Sequence, residues 1–362
     1  MNNIRYRLPF MLFAAIALLV GLWAGLVRIG WTLPPFQVAM HGQLMISGFL
    51  GTLISLERAV ALQRRLPYLA PVLTAAGTAS LLIGLPDVIV RGLITLGSLI
   101  MLISFCLAYY QHFKFNLEWA SIALIIGSLL WLIGNVLWLT NFTVHQLAPW
   151  WVGFLVVTIA GERLELSRVV MLKQSSIIAF LISVSIFIVG LTFSLFTFQI
   201  GIQLCGIGLI AIGVWLLRFD VARKTIRQTG LTRFIAACLL PGYIWIIVAG
   251  VSWIVWADYF SAGAIYDVML HTALIGFAFS MIFGHAPIIV PAILGIQIQY
   301  QSKFYVPLVL LHLSLITRVI GDVIPNPTLR AWGGLFNEIA IILFLGLMVR
   351  AAISQKSSNL PS

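Results

Sequence analysis

Apolar stretches of about 20 residues follow one another along almost the whole chain, and this feature leaves few folds open. A run of that length matches the hydrocarbon thickness of a bilayer. In hydrocarbon no water satisfies backbone N–H and C=O groups, so a spanning segment must pair them internally, as a helix does. Reading the runs between polar breaks predicts about twelve spans, near 9–28, 38–62, 68–86, 92–111, 119–140, 146–166, 177–197, 199–218, 232–256, 265–296, 304–323 and 332–352. The break between spans seven and eight rests on Phe198-Gln199 alone. Only 9% of the 362 residues are charged, against about 25% in soluble domains. The fold class expected is therefore all-α and polytopic, in one integral membrane domain over 1–362 with the lipid bilayer as its main partner.

The net charge of +11 does not point to nucleic acid, because the basic residues sit in short loops, where they set topology. Arg5 and Arg7 precede span 1. Arg58, Arg64 and Arg65 follow span 2, and Lys114 follows span 4. Arg163, Arg168 and Lys173 follow span 6, and Arg218, Arg223, Lys224, Arg227 and Arg233 follow span 8. Lys303 follows span 10, and Arg350 and Lys356 follow span 12. With twelve spans all of these fall on one side, so both termini are expected in the cytoplasm. The basic start followed by an apolar run is read as a first span rather than a cleaved leader, since it is long enough to cross and shows no small-residue cleavage site. Trp150, Trp151, Trp253, Trp256 and Trp332 are expected as interfacial anchors at the outer ends. Cys106, Cys205 and Cys238 lie in apolar runs and are expected as buried small hydrophobes without a disulfide.

Spans 2, 6 and 10 resemble one another. Each opens with a histidine (His41, His145, His271) and closes with polar residues (Glu57-Arg58, Glu162-Arg163, Gly284-His285). The spacing of four spans suggests repeats over 1–114, 115–228 and 229–362, an arrangement that often places sites at repeat interfaces.

An imidazole in hydrocarbon is costly and marks a functional site by default. His41 and His271 lie about one and two turns from the outer ends of their spans, a placement that suits two ligands of one clamped metal. Haem iron is the best match, with Arg318 near the outer end of span 11 to neutralise a propionate. A second candidate lies at the inner ends, where Glu57, Glu162 and His285 make a donor set for Zn²⁺, Fe²⁺ or Cu²⁺, with Glu165 and His112 as additions. The competing reading pairs the carboxylates with Arg58 and Arg163. His271 and His285 are about 21 Å apart at 1.5 Å per residue, so they cannot share a metal. Pro287 and Pro291 are expected to interrupt span 10 beside His285. Asn135, His312, Asn337 and Glu338 are expected to bond between helices, and Asp258 and Asp267 to be solvated.

His41-Gly42-Gln43-Leu44-Met45 resembles the second-helix motif of the catalytic subunit of haem–copper oxidases. His271-Thr272-Ala273-Leu274-Ile275-Gly276-Phe277 resembles that family's tenth helix. The resemblance implies a twelve-helix, three-repeat fold with His41 and His271 as the two axial ligands of a low-spin haem b. It departs where the oxidase chemistry needs it most. Met269 stands where those proteins carry the high-spin haem histidine, span 7 has no histidine pair for copper, and His145 alone cannot hold one. Oxygen reduction is thus not expected. The chain also looks like the NnrS-type membrane haem proteins, with Gly276-Phe277 and Phe283-Gly284-His285 as the similar stretch. That resemblance implies a multi-pass protein of the bacterial inner membrane, in electron transfer or the response to nitric oxide. The alternative, from the repeats and the inner Glu/His set, is a protein that binds or transports metal ions.

Overall fold

The computed structural model describes residues 6–112, 119–167 and 172–358, and Arg5, Lys114 and Arg168 lie outside them. It is all-α, with no strand among the described residues. Eleven helices among these residues are long and apolar enough to cross a membrane, and Leu66–Leu82 is apolar but shorter. In chain order the helices are α1 Leu8–Arg28, α2 Val38–Leu62, α3 Leu66–Leu82, α4 Asp87–His112, α5 Trp119–Leu139 and α6 Val144–Leu166. They continue with α7 Gln174–Phe193, α8 Phe198–Phe219, α9 Gly230–Val255, α10 Ala264–Leu294, α11 Ser302–Val323 and α12 Pro327–Ser358. Local chemistry sets many of the ends. Pro9 starts α1 in the first turn, where its missing N–H costs nothing. Asp87 places an acid in the first turn of α4, so this helix begins five residues before the expected 92. The boundary between α7 and α8 lies at residues 194–197, where Thr197 is extended, and Phe198 opens α8 instead of breaking it.

The chain gathers into two compact units, Met1–Glu162 and Arg163–Ser362. In the first, α1 packs on α2, α3 on α4 and α4 on α5, and Trp131 of α5 stacks on Phe154 of α6 with centroids 4.8 Å apart. In the second, α7, α8 and α9 pack in series, α9 supports α10, and α11 and α12 form a close pair. Trp151 and Trp253 are not interfacial anchors. They are 1% and 0% exposed, and their indole N–H groups donate to Asn135 Oδ1 (3.1 Å) and the Met269 carbonyl (2.8 Å). Buried indoles usually find such partners, and here an amide side chain and a main-chain carbonyl supply them. Trp332, at 47% exposed, does face outward. Cys205 and Cys238 are buried, whereas Cys106 is exposed.

The two helices that carry the motif histidines are wound differently from the rest. In α2, Leu44–Gly51 forms a π-helix. In α10, Thr272–Phe279 does the same. π segments are rare, are mostly single turns and are frequent at functional sites; here each runs for eight residues. Both are almost wholly buried. α6, whose first turn carries His145, contains Pro149 and has no such segment. Glycine lets the neighbouring helices come close. A Cβ on Gly21 of α1 would stand 2.5 Å from Met45 Sδ, and one on Gly276 2.5 Å from the Trp245 ring. Beyond its π segment, α10 does not break at Pro287 or Pro291. Both lie within the helix, which ends at Gly295 with φ +59°, a left-handed conformation that glycine adopts at little cost.

Candidate functional site

In the first unit, His41 Nδ1 lies 2.7 Å from the Gly21 carbonyl oxygen of α1. A carbonyl oxygen only accepts, so Nδ1 carries a proton, and in the neutral imidazole the lone pair is then on Nε2. The same reasoning applies to His271 in the second unit, whose Nδ1 lies 2.9 Å from the Asp267 carbonyl and 3.2 Å from Asp267 Oδ1. Each histidine immediately precedes or lies within one turn of its helix's π segment. An imidazole anchored through Nδ1 presents Nε2 as a metal-ligating atom, and the anchor fixes both tautomer and ring plane.

Asp267 is the centre of a half-buried charge network instead of a solvated group. Arg318 of α11 grips it with two parallel bonds, Nε to Oδ2 at 2.7 Å and Nη2 to Oδ1 at 2.8 Å. Arg330 approaches Oδ1 to 4.0 Å and lies 2.8 Å from Asp322. Arg318, the residue placed to neutralise a propionate, binds Asp267 through Nε and Nη2, and Asp267 in turn holds His271, so the arginine reaches the histidine through the carboxylate. Sequence reasoning missed Asp267 because its partner comes from the following helix. The available signal was its position four residues before His271, one helical turn away.

The opposite, basic ends of the helices hold the second candidate group. Arg58 pairs with Glu57 at 3.1 Å and with Glu162 of α6. Arg163 binds Asp220, at the end of α8, with Nε–Oδ2 of 2.7 Å and Nη2–Oδ1 of 2.9 Å. Its Nη1 is 3.3 Å from His285 Nε2, while His285 Nδ1 bonds the Met281 carbonyl at 2.7 Å. Glu57 and Glu162 are thus ion-paired, and the His285 lone pair faces a guanidinium. Glu165 is exposed, and the His112 side chain lies outside the described residues. Among the described residues no three His, Cys, Asp or Glu are grouped so as to hold a metal ion. A haem iron held by two imidazoles needs no such group.

The remaining polar residues stitch helices together. Asn337 of α12 donates to the Leu311 carbonyl and to Ser314 Oγ (3.2 and 2.6 Å), and Trp245 of α9 donates to His312 Nδ1 at 3.0 Å. His145 lies 3.1 Å from Thr143 Oγ at the start of α6. On α2, Gln43 Oε1, Ser47 Oγ and Thr52 Oγ1 are buried and make no hydrogen bond among the described residues.

A family model described as "Domain of unknown function (DUF8744)" matches residues 7–353. The chain belongs to the DUF8744 family. No curated protein matches it in sequence. The match takes in every helix from α1 to α11 and most of α12, so both histidines and the network around Asp267 fall inside the DUF8744 region.

Proposed function

We propose that the chain is a b-type haem protein of the bacterial inner membrane, with both termini in the cytoplasm and with His41 and His271 as the iron ligands. It serves electron transfer or the response to nitric oxide. The observation that carries this reading is the shared anchoring of the two imidazoles. Nδ1 of each is bonded to an acceptor oxygen, at 2.7 Å for His41 and 2.9 Å for His271, so each holds its Nε2 lone pair in a fixed direction beside a π segment. Axial histidines of haem are held in this way, through a second-shell acceptor on the other ring nitrogen. The Asp267 carboxylate, bridged by Arg318, lies 3.2 Å from His271 Nδ1 and would add electron-donating character to an iron-bound imidazole. When bound, the haem would supply one-electron redox chemistry. The residues of the chain supply ligand identity, orientation and burial, the levers that tune potential. Resemblance to the oxidase motifs supports the same pair of residues. The positive-inside distribution of lysine and arginine supports the orientation.

The test is the visible spectrum of the purified protein, oxidised and dithionite-reduced, with iron, copper and zinc assayed on the same sample. A Soret band and a sharp reduced α band are expected in the wild type, and both are lost in His41→Ala and in His271→Ala. A folded protein without those bands, or full haem retention in both variants, overturns the proposal. Zinc or copper in place of iron would turn attention to the metal-ion reading and to His285.

A further inference from the structure

The connection after α8 forms an open cleft of about 470 Å³, lined in part by Arg218, Phe219, Asp220, Arg223, Lys224 and Arg227. That volume is within the range of small-ligand sites, about 300–1,000 Å³. Four cationic side chains meet there, and all four residues are exposed. The one carboxylate in the wall does not neutralise them. Asp220 is buried, and both of its oxygens are taken by Arg163 (2.7 and 2.9 Å) and by the Ala222 N–H (2.6 Å). Two of the cations are held in place. The Arg218 guanidinium lies 5.9 Å from the centroid of the Phe219 ring, and Arg223 Nη1 donates to the Arg218 carbonyl at 2.6 Å. The rule that basic loops set membrane orientation asks for charge but not for shape. Here the charges are gathered round a concave space whose acid has been removed from play.

We infer that this cleft is a binding site for a phosphate-bearing anion, with Arg218, Arg223, Lys224 and Arg227 as its donors. Guanidinium groups match phosphate oxygens in geometry and charge. The cleft lies at the end of a membrane-spanning helix, so the phosphate can come from an anionic lipid headgroup or from a small soluble compound. The site does not depend on the haem proposal.

The experiment follows the melting temperature of the whole protein in neutral detergent, where a ligand of the folded state raises it. The protein is titrated separately with short-chain phosphatidylglycerol, short-chain phosphatidylcholine and inorganic phosphate. Stabilisation by phosphatidylglycerol alone identifies a lipid headgroup, and stabilisation by inorganic phosphate identifies a soluble source. In either case Arg223→Gln/Arg227→Gln weakens the apparent affinity about tenfold or more, while Arg64→Gln/Arg65→Gln, in another basic loop, leaves it unchanged. Lys224→Gln/Arg227→Gln gives the same weakening without touching the Arg223–Arg218 bond, should that bond matter for folding. The inference is overturned if neither anionic ligand shifts the wild type, if phosphatidylcholine acts equally in wild type and variants, or if the two loops respond alike.

Discussion

His41 and His271 occupy comparable places in their helices but are supported in different ways. His41 leans on a backbone carbonyl of the preceding helix, a neutral partner that no side-chain substitution can remove. His271 leans on its own helix, on a residue whose carboxylate is clamped from the next helix by Arg318. The first support is cheap and fixed. The second places a charge in the bundle, which is tolerated only because it is paired and hydrogen-bonded. One imidazole is held by a neutral carbonyl alone, and the other also faces a carboxylate.

The sharpest way to break this comparison is Arg318→Leu. It leaves the Asp267 carboxylate without its bidentate partner, and a loss of about 3–5 kcal/mol is expected, read as a large drop in melting temperature. A variant that melts like the wild type would mean the pair does not support the fold. Next comes Asp267→Asn, which keeps the shape and removes the charge. If His271 is an iron ligand, haem affinity falls about 10–100-fold, measured as haem retained per folded protein during competition with apomyoglobin. Unchanged retention would show that the carboxylate does not tune the ligand. Third, Gly276→Ala pushes a methyl into the Trp245 ring and is expected to cost about 1–3 kcal/mol. Gly42→Ala, whose Cβ meets only Val144 at 4.0 Å, is expected to be neutral or slightly stabilising. Equal melting temperatures for the two would refute the close approach of α9 to α10. The smallest effect is expected from Ser47→Ala. Its hydroxyl is buried without a hydrogen bond among the described residues, so its removal is neutral or stabilising, and a loss above about 1 kcal/mol would show that the hydroxyl is bonded after all.

Hydropathy made the framework of this protein readable, because a bilayer imposes one length and one backbone solution on every crossing. The span read as 38–62 is α2, Val38–Leu62. Ends were harder where a single residue decides them, as with Asp87. The inner residues show why pairings were not legible. Glu162 and Arg163 are adjacent in sequence, yet one meets Arg58 and the other Asp220 and His285. Neighbours on a helix point about 100° apart at 3.6 residues per turn, so an adjacent acid and base do not have to serve each other. Arg318 shows the same limit from the other side, because its partner lies on a different helix. The π segments left no trace that composition would reveal. Leu44–Gly51 and Thr272–Phe279 are apolar runs like many others, and they pack against α1 and α9 respectively.

A helix wound in π turns carries more residues per turn than an α-helix needs, and this makes α2 and α10 unusual in their tolerance of changed chain length. Losing one residue from an ordinary spanning helix turns everything beyond it by about 100° and takes its buried face away from the core. Losing one from within Leu44–Gly51 or Thr272–Phe279 can be absorbed by rewinding toward an α-helix, with Glu57-Arg58 or His285 kept on their present faces. Among natural variants of this chain, single-residue deletions inside a spanning helix are therefore expected in these two stretches, directly beyond the histidines.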